Sequence, residues 1–176
     1  MTVMLVLGGA RSGKSKRAEW WAKQWEREGC WVRYLATSPN MAGDDAWSKR
    51  VAEHRNSRPA HWQTIEETLQ LCAMLERCDA GDVLLVDCLT LWLSNVMWKK
   101  KDVVNETAAL CATLKQSKGH VVLVSNELGM GLVPDTALGR DFRDAQGRLN
   151  QAVAEVADGV ELVVAGLPMR LKGVMK

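Results

Sequence analysis

Eight consecutive residues near the N-terminus, GGARSGKS, have the types and spacing of a phosphate-binding loop. The segment fits G-x-x-x-x-G-K-[ST], in which glycines let the backbone aim N–H groups at phosphate oxygens. Lys14 can reach the β- and γ-phosphates, and the Ser15 hydroxyl can bind Mg²⁺. A glycine turn that matches by chance is the alternative, but the apolar run before the loop and the helical segment after it favour a nucleoside triphosphate site. The predicted phosphate-binding residues are Gly8, Gly9, Ala10, Arg11, Ser12, Gly13, Lys14 and Ser15.

A second candidate is the carboxylate that ends the apolar run DVLLVD, Asp87. A triphosphate site of this kind needs a carboxylate at the end of a neighbouring strand to hold its Mg²⁺. Asp is also favoured as the first capping residue of a helix, and the two roles are compatible. Asp87 and Ser15 are therefore the predicted metal ligands.

The segment VAEHRNSRPAHW contains two of the three histidines, His54 and His61. A neutral imidazole is a competent nucleophile near pH 7, so a histidine beside a triphosphate could attack phosphorus. His54 follows the second predicted strand, whose end we place near 36–38, and Arg58 could bind anions beside it. A solvated surface histidine fits the same residues, and spacing and composition alone favour that interpretation.

Short apolar runs alternate with helical segments along the chain, which indicates an α/β fold with a mainly parallel sheet and helices on both faces. Because no linker or repeat interrupts this order, we expect one domain over 1–176. The predicted strands are 2–7, 31–37, 82–87, 120–125 and 160–166. The predicted helices are 14–28, 44–55, 66–78, 90–98, 103–117 and 137–157, and a short tail follows the last strand.

Composition excludes several classes of protein. The formal charge of +2 is too small to indicate a nucleic-acid or membrane partner, and no apolar run is long enough for a transmembrane span. The five cysteines include no C-x-x-C pair, which favours reduced, buried thiols over a zinc site. We therefore expect a cytoplasmic protein.

Beyond the phosphate motif, several longer segments are more specific: YLATS, RVAEHRNSRPAHWQTIEE, LLVDCLTLWLSN, VSNELGMGLVP and RDFRDAQGRLNQ. With LVLGGARSGKS they resemble the bifunctional adenosylcobinamide kinase / adenosylcobinamide-phosphate guanylyltransferase family of cobalamin biosynthesis over essentially the whole chain. The resemblance implies a three-layer P-loop NTPase of the RecA-like type. It also implies two reactions, in which ATP or GTP phosphorylates adenosylcobinamide and GMP is then transferred from GTP to adenosylcobinamide phosphate.

In the family a histidine of the crossover segment becomes guanylylated, and His54 matches that histidine. The resemblance implies Mg²⁺, corrinoid substrates and a homo-oligomer, expected to be a trimer. The residues that it adds to the GTP site are Ala36, Thr37, Ser38, Arg55, Asn56, Ser57, Arg58 and Glu66. The segments 126–134 and 140–151 carry family motifs, and the resemblance assigns no role to their individual residues.

Two other functions fit the same residues. A monofunctional guanylyltransferase would carry the same motifs, since the sequence holds no separate kinase signature. A RecA-like regulatory module would use the phosphate loop as a switch and form no covalent nucleotide. Assay with unphosphorylated cobinamide distinguishes the first, and a search for covalently bound GMP distinguishes the second.

Overall fold

A computed structural model describes residues 1–39 and 58–173. Its described strands form one seven-stranded sheet in the order β3-β2-β4-β5-β1-β6-β7. All neighbouring strands pair in parallel except β6 and β7, which are antiparallel. The strands are β1 (Val3–Gly8), β2 (Trp31–Ala36), β3 (Gln63–Glu66), β4 (Asp82–Asp87), β5 (His120–Asn126), β6 (Gly159–Val164) and β7 (Leu167–Lys172).

Helices cover both faces of the sheet, and their bounds follow the residue pattern. The described helices are α1 (Lys14–Arg27), α2 (Leu71–Glu76), α3 (Leu89–Trp98), α4 (Val103–Gln116) and α5 (Ala137–Val156). Asp102 begins α4 by accepting hydrogen bonds from the N–H groups of Val104 and Asn105, and Thr136 does the same for Gly139 in α5. This layered α/β arrangement confirms the predicted fold class.

The central strands are apolar along their whole length because both of their faces are buried. Side chains at Met4, Val6 and Leu85 join Ala18 and Ala22 of α1 on one face. Alternate residues of the same strands, with α2 to α5, form a second core on the other face. The sheet is therefore held from both sides, which fixes the strand ends that carry the site.

Five predicted strands are present, with ends within about two residues of the expected ones, and two further strands were missed. The segment Gln63–Glu66 forms β3, and the expected tail forms β7. The prediction of one helix over 66–78 was wrong at its start. Glu67 accepts hydrogen bonds from the N–H groups of Leu69 and Gln70 at 2.8 and 3.0 Å, so the chain turns before α2 begins. The predicted helix 44–55 lies outside the described residues.

Within residues 1–39 and 58–173, no helix combines the length and the apolar character that crossing a membrane requires.

A buried ion cluster joins α1 to the far edge of the sheet. Glu161 of β6 is 2% exposed. It accepts hydrogen bonds from Arg17 at 2.7 and 2.8 Å, from the Trp21 indole at 3.0 Å and from Arg170 of β7 at 2.8 Å. Burial acts to raise the pKa of Glu161, but the hydrogen bonds and charges of these donors outweigh it and lower the pKa. The cluster fixes α1 relative to β6.

Replacing Glu161 with Gln leaves two arginines without their counter-ion, so we expect the free energy of unfolding to fall by about 3–5 kcal/mol at neutral pH. Because the folded-state pKa is lowered, this contribution is complete above the ordinary value of 4.5 and is lost as the pH falls through the folded value. Urea unfolding of wild type and Glu161→Gln should show the difference in unfolding free energy shrinking as the pH falls from 4.5 through the folded-state pKa of Glu161. Glu155→Ala, at an exposed carboxylate of α5, is the control, expected to stay within about 0.5 kcal/mol. A difference independent of pH would contradict this account.

Candidate functional site: a phosphate cradle at the carboxyl edge of the sheet

The loop between β1 and α1 presents an open helix end. Gly13 precedes α1, and no side chain caps this end by hydrogen bonding. No acidic residue lies in the first turn. The first N–H groups of a helix lack partners within the helix and attract anions through the helix dipole. The start of α1 is therefore a suitable site for phosphate oxygens.

Glycine is required at two positions of this loop. Gly13 has φ 97°, in the left-handed region, and a Cβ there would lie 3.2 Å from Cα of Gly166. Gly8 is buried, and a Cβ there would lie 2.4 Å from Oγ of Ser12 and 2.7 Å from the carbonyl oxygen of Val163. The loop can wrap this closely only because both side chains are absent.

Lys14 and Ser15 begin α1 directly after the loop. The Lys14 ammonium donates to the Gly9 carbonyl at 3.1 Å, so its side chain lies along the loop. Both residues are half-buried, whereas Gly9, Ala10 and Arg11 are exposed. The loop thus offers an ammonium, a hydroxyl and backbone N–H groups on one short stretch of chain.

Strand register brings the other predicted residues to the same edge of the sheet. Ala36 of β2 is paired with Asp87 of β4 and with Glu66 of β3. On the other side of β4, Asp87 is opposite Val124 of β5, and Gly8 is opposite Asn126. The carboxyl ends of five strands therefore form one row, in which open α/β sheets bind their ligands.

Asp87 lies in a cluster of polar groups. The Tyr34 hydroxyl donates to its Oδ2 at 2.7 Å, and the Arg58 guanidinium lies over the Tyr34 ring, 3.3 Å from the ring centroid. Burial, and then the neighbouring Asp87 charge, raises the pKa of Tyr34, so the hydroxyl stays protonated and donates. Tyr34 fixes the orientation of the Asp87 carboxylate, and the peptide bond after Asp87 is cis.

Glu19 of α1 is a second buried carboxylate near this cluster. The residue is 8% exposed, and the Lys23 ammonium lies 3.9 Å from its carboxylate. Burial raises the pKa of Glu19, while the charges of Lys23 and Arg58 act to lower it and that of Asp87 to raise it. Sequence reasoning missed Glu19, although it lies four residues after Ser15 and so on the same helix face. It also missed Tyr34, whose role depends on a contact with another strand.

Thr37 and Ser38 follow β2 and differ in their surroundings. Thr37 is fully buried; its hydroxyl donates to the Cys88 carbonyl at 2.7 Å and accepts from the Cys88 N–H at 2.8 Å. It therefore joins the ends of β2 and β4. Ser38 is half-buried, and its hydroxyl donates to the Pro39 carbonyl at 3.1 Å.

The predicted nucleophile His54 and its neighbours Arg55, Asn56 and Ser57 lie outside the described residues. Arg58, the first residue described after them, lies in the Asp87 cluster through its contact with Tyr34. The described chain therefore resumes, at Arg58, beside the candidate site.

The residues at this edge have the donor atoms that Mg²⁺ prefers, which are oxygens. Ser15 supplies a hydroxyl at the start of α1, and Asp87 supplies a carboxylate whose Oδ2 is held by Tyr34. The other carboxylate oxygen of Asp87 is the atom that would bind the metal ion. This set of oxygens fits Mg²⁺ better than a soft metal.

The sheet, the glycine loop and the open start of α1 define the class: an α/β P-loop NTPase fold. Solved structures agree on that fold. The flagellar accessory protein FlaH from Methanocaldococcus jannaschii is 14% identical with a TM-score of 0.53, covering 98% of this chain and 78% of its own. A second solved structure, described as an ATPase domain, is 13% identical with a TM-score of 0.50, covering 92% of this chain and 68% of its own.

Sequence comparison gives the family. Residues 4–171 match the family described as cobinamide kinase / cobinamide phosphate guanyltransferase, and the chain belongs to it. The bifunctional adenosylcobalamin biosynthesis protein CobP of Pseudomonas aeruginosa is 49% identical over 96% of both chains. The bifunctional adenosylcobalamin biosynthesis protein CobU of Escherichia coli is 36% identical, covering 97% of this chain and 99% of its own. The family resemblance predicted from the motifs is confirmed, and the bifunctional enzyme is favoured over a monofunctional one.

A comparison of alanine substitutions at Gly8 and at Gly9 tests whether the loop requires glycine at Gly8. In Gly8→Ala the added methyl group meets Ser12 and the Val163 carbonyl, and such overpacking costs about 1–3 kcal/mol. In Gly9→Ala the added atom meets nothing within 4 Å, so stability should stay within about 0.5 kcal/mol of wild type. Urea unfolding measures both, and titration with a fluorescent triphosphate analogue should show weaker binding for Gly8→Ala. Equal stability of the two variants would exclude a close-packed loop.

Proposed function

We propose that one transfer domain spanning 1–176 carries out both family reactions at a single phosphate cradle. It phosphorylates adenosylcobinamide with ATP or GTP and then transfers GMP from GTP to adenosylcobinamide phosphate. The observation that carries this proposal is the row of strand ends, in which the loop before Lys14 and the carboxylate of Asp87 share one edge of the sheet. Triphosphate chemistry needs both groups at one place.

In the kinase step, the hydroxyl oxygen of the corrinoid side arm forms a bond to the γ-phosphorus. The bond from that phosphorus to the bridging oxygen breaks, and its electron pair remains on the nucleoside diphosphate. The proton of the hydroxyl passes to solvent. Lys14 and the N–H groups at the start of α1 face the charge that builds on the transferred group, and fixed donors of this kind stabilise it without rearranging.

Ser15 and Asp87 would hold Mg²⁺, which supplies further neutralisation of phosphate charge when bound. The Tyr34 hydroxyl keeps the Asp87 carboxylate in one orientation. The guanidinium of Arg58 lies over the ring of Tyr34, so it places a positive charge against the residue that binds this carboxylate. These four residues therefore fix the positions of the polar and charged groups around the bound triphosphate.

In the guanylyl step, His54 is the nucleophile. Its ring nitrogen forms a bond to the α-phosphorus of GTP, and the bond to the bridging oxygen breaks, which releases pyrophosphate. A phosphate oxygen of the corrinoid then bonds to the same phosphorus, and the nitrogen–phosphorus bond breaks, giving adenosylcobinamide-GDP. A covalent intermediate divides one transfer between two anions into two steps.

The position of Arg58 supports this role for His54. Arg58 follows His54 by four positions, so their Cα atoms lie no more than about 14 Å apart. Arg58 itself contacts Tyr34, which binds Asp87. His54 is therefore tethered by a short segment to a residue of the Asp87 cluster, beside which the bound nucleotide would lie.

The acceptor is large, and the loop after β5 offers apolar surface beside the cradle. Met130, Leu132 and Val133 are 78%, 95% and 62% exposed, and Leu138 at the start of α5 is 71% exposed. Glu127, which precedes them, donates its N–H to the Gly8 carbonyl at 3.1 Å, so this loop begins at the cradle. Apolar side chains in this position suit the ring system of a corrinoid.

We propose a homo-oligomer, with a trimer as the expected form. The edge strand β7 and the end of β6 expose Val164, Leu167, Met169 and Leu171 at 55%, 73%, 57% and 56%. An apolar open strand edge is a surface that a second chain can cover.

The cytoplasm is the proposed location, because ATP and GTP are substrates and the five cysteines are unpaired.

The histidine assignment has a matched control in the same segment. After incubation with GTP labelled at the α-phosphate and denaturation, wild type and His61→Ala should carry label, and His54→Ala should carry none. His61 lies 2.6 Å from Glu26, a contact that belongs to α1 and not to the loop. Acid should release the label, since phosphoramidates are acid-labile. Equal labelling of His54→Ala and wild type would show that another residue is the nucleophile.

Lys14 should serve both reactions, because both place a triphosphate in the same cradle. Lys14→Ala removes a cation that faces the phosphates, so kinase turnover and guanylylation should each fall by about 10²–10³-fold. Lys99→Ala, at an exposed residue after α3, should change either rate by no more than about twofold. Loss of the kinase reaction alone would indicate two separate nucleotide sites.

A further inference from the structure

Three buried polar residues form a hydrogen-bonded group behind the end of β5. Ser125 and Gln146 are 0% exposed, and Asn150 is 6% exposed. The Ser125 hydroxyl donates to Asn150 Oδ1 at 2.7 Å, and the Gln146 amide donates to Ser125 Oγ at 2.9 Å and to Asn150 Oδ1 at 3.0 Å. Gln146 Oε1 has no partner in the described part of the chain, and an unpaired buried acceptor costs about 1–3 kcal/mol. Apolar side chains would avoid that cost.

This group fixes the backbone of one residue, Asn126. Asn150 donates its amide to the Asn126 carbonyl at 3.0 Å, and the Asn126 N–H donates to Oγ1 of Thr90 at 2.9 Å. Side chains from α5 and α3 thus hold both polar groups of its backbone. The next N–H, that of Glu127, is bonded to Gly8. Asn126 is therefore rigidly placed beside the phosphate loop.

The side chain of Asn126 lies on the same face of the sheet as the loop. Successive residues of a strand alternate between faces. Val122 and Val124 pack on the α1 side, and Ser125 contacts α5, so Asn126 belongs to the α1 side. By the same alternation Asp87 lies on the α1 side two residues after Leu85.

Register gives the distances along this row. Asn126 is opposite Gly8, whose Cα lies about 4.8 Å away at ordinary strand spacing. Asp87 is opposite Val124, so Asn126 extends two residues further and its Cα lies about 8 Å from that of Asp87. Asn126 Oδ1 is buried and has no partner among the described residues. A carboxamide between the loop and the metal-binding carboxylate has an open acceptor.

We infer that Asn126 orients the acceptor hydroxyl in the kinase step, an inference that rests on the proposed phosphoryl transfer. Its Oδ1 accepts a hydrogen bond from the attacking hydroxyl, and its Nδ2 donates to an oxygen of the γ-phosphoryl group. The hydroxyl oxygen bonds to the γ-phosphorus as the bond to the bridging oxygen breaks, and the diphosphate keeps the electron pair. The carboxamide is neutral and takes no proton; the proton passes to solvent. Ser125, Gln146 and Asn150 are positioning residues behind it.

The two reactions differ in their need for the carboxamide of Asn126. The nucleophile of the guanylyl step is a ring nitrogen that attacks the α-phosphorus, so no hydroxyl has to be oriented there. Loss of the Asn126 acceptor should therefore affect phosphorylation and spare formation of covalent GMP. This selectivity separates Asn126 from Lys14, which serves both reactions.

The test compares Asn126→Ala with wild type in three measurements: kinase turnover at saturating ATP and cobinamide, the rate of labelling by α-labelled GTP, and affinity for a non-hydrolysable ATP analogue. A misplaced nucleophile costs about 10²-fold, so kinase turnover should fall by that factor. Labelling and affinity should stay within about threefold, a change below 1 kcal/mol. Asn105→Ala, at an exposed asparagine of α4, is the matched control and should leave all three unchanged.

Asn126→Asp keeps the volume of the side chain and tests its orientation if the alanine variant fails to fold. A carboxylate that faces the phosphates repels them, so triphosphate affinity should fall by about tenfold, equivalent to about 1.4 kcal/mol. Unchanged affinity would show that the side chain faces elsewhere and would overturn the inference. Full kinase turnover in Asn126→Ala, or an equal loss of both reactions, would overturn it too. A wild type without kinase activity would overturn the proposed function and the inference with it.

Discussion

Parallel pairing of β1, β5, β4 and β2 places the ends of these strands in one row, and the site depends on that register. Strand pairing brings four distant parts of the chain together at one edge of the sheet, at Gly8, Asn126, Asp87 and Ala36. A shift of one residue in any pair would turn the side chain at its end to the opposite face of the sheet. Alternate side chains of these strands pack into two different cores, so a shift would replace each close-packed side chain by one of another shape.

Groups outside the site keep this edge rigid. On the far side of β1, Glu161 fixes α1 through Arg17 and Trp21, and it also binds Arg170 of β7. At β2 and β4, the Thr37 hydroxyl links the two strand ends through the backbone of Cys88. Preorganised groups of this kind need no rearrangement when charge develops on a phosphoryl group, which is the main way that proteins accelerate such transfers.

Sequence reasoning found the elements whose signal is local. The loop GGARSGKS is one contiguous motif, and the carboxylate Asp87 directly ends an apolar run. The edge strands gave no such signal. β3 is QTIE, four residues with a single apolar member, and β7 is LPMRLK, with a proline that only an edge strand tolerates.

The polar partners behind the site were equally hidden. Tyr34 is 53 residues from Asp87 along the chain, and Ser125 is 25 residues from Asn150. Their roles come from strand register and helix packing, which the sequence specifies only through the whole fold. Glu19 was missed as well, although its spacing of four residues from Ser15 is a local signal that could have indicated it.

If both reactions share one phosphate cradle, ATP and GTP must compete for it. Calorimetric titration of the full chain with non-hydrolysable ATP and GTP analogues, alone and in competition, tests it most directly. We expect one bound triphosphate per chain, with each analogue displacing the other. Simultaneous binding of both analogues to the same chain would contradict it.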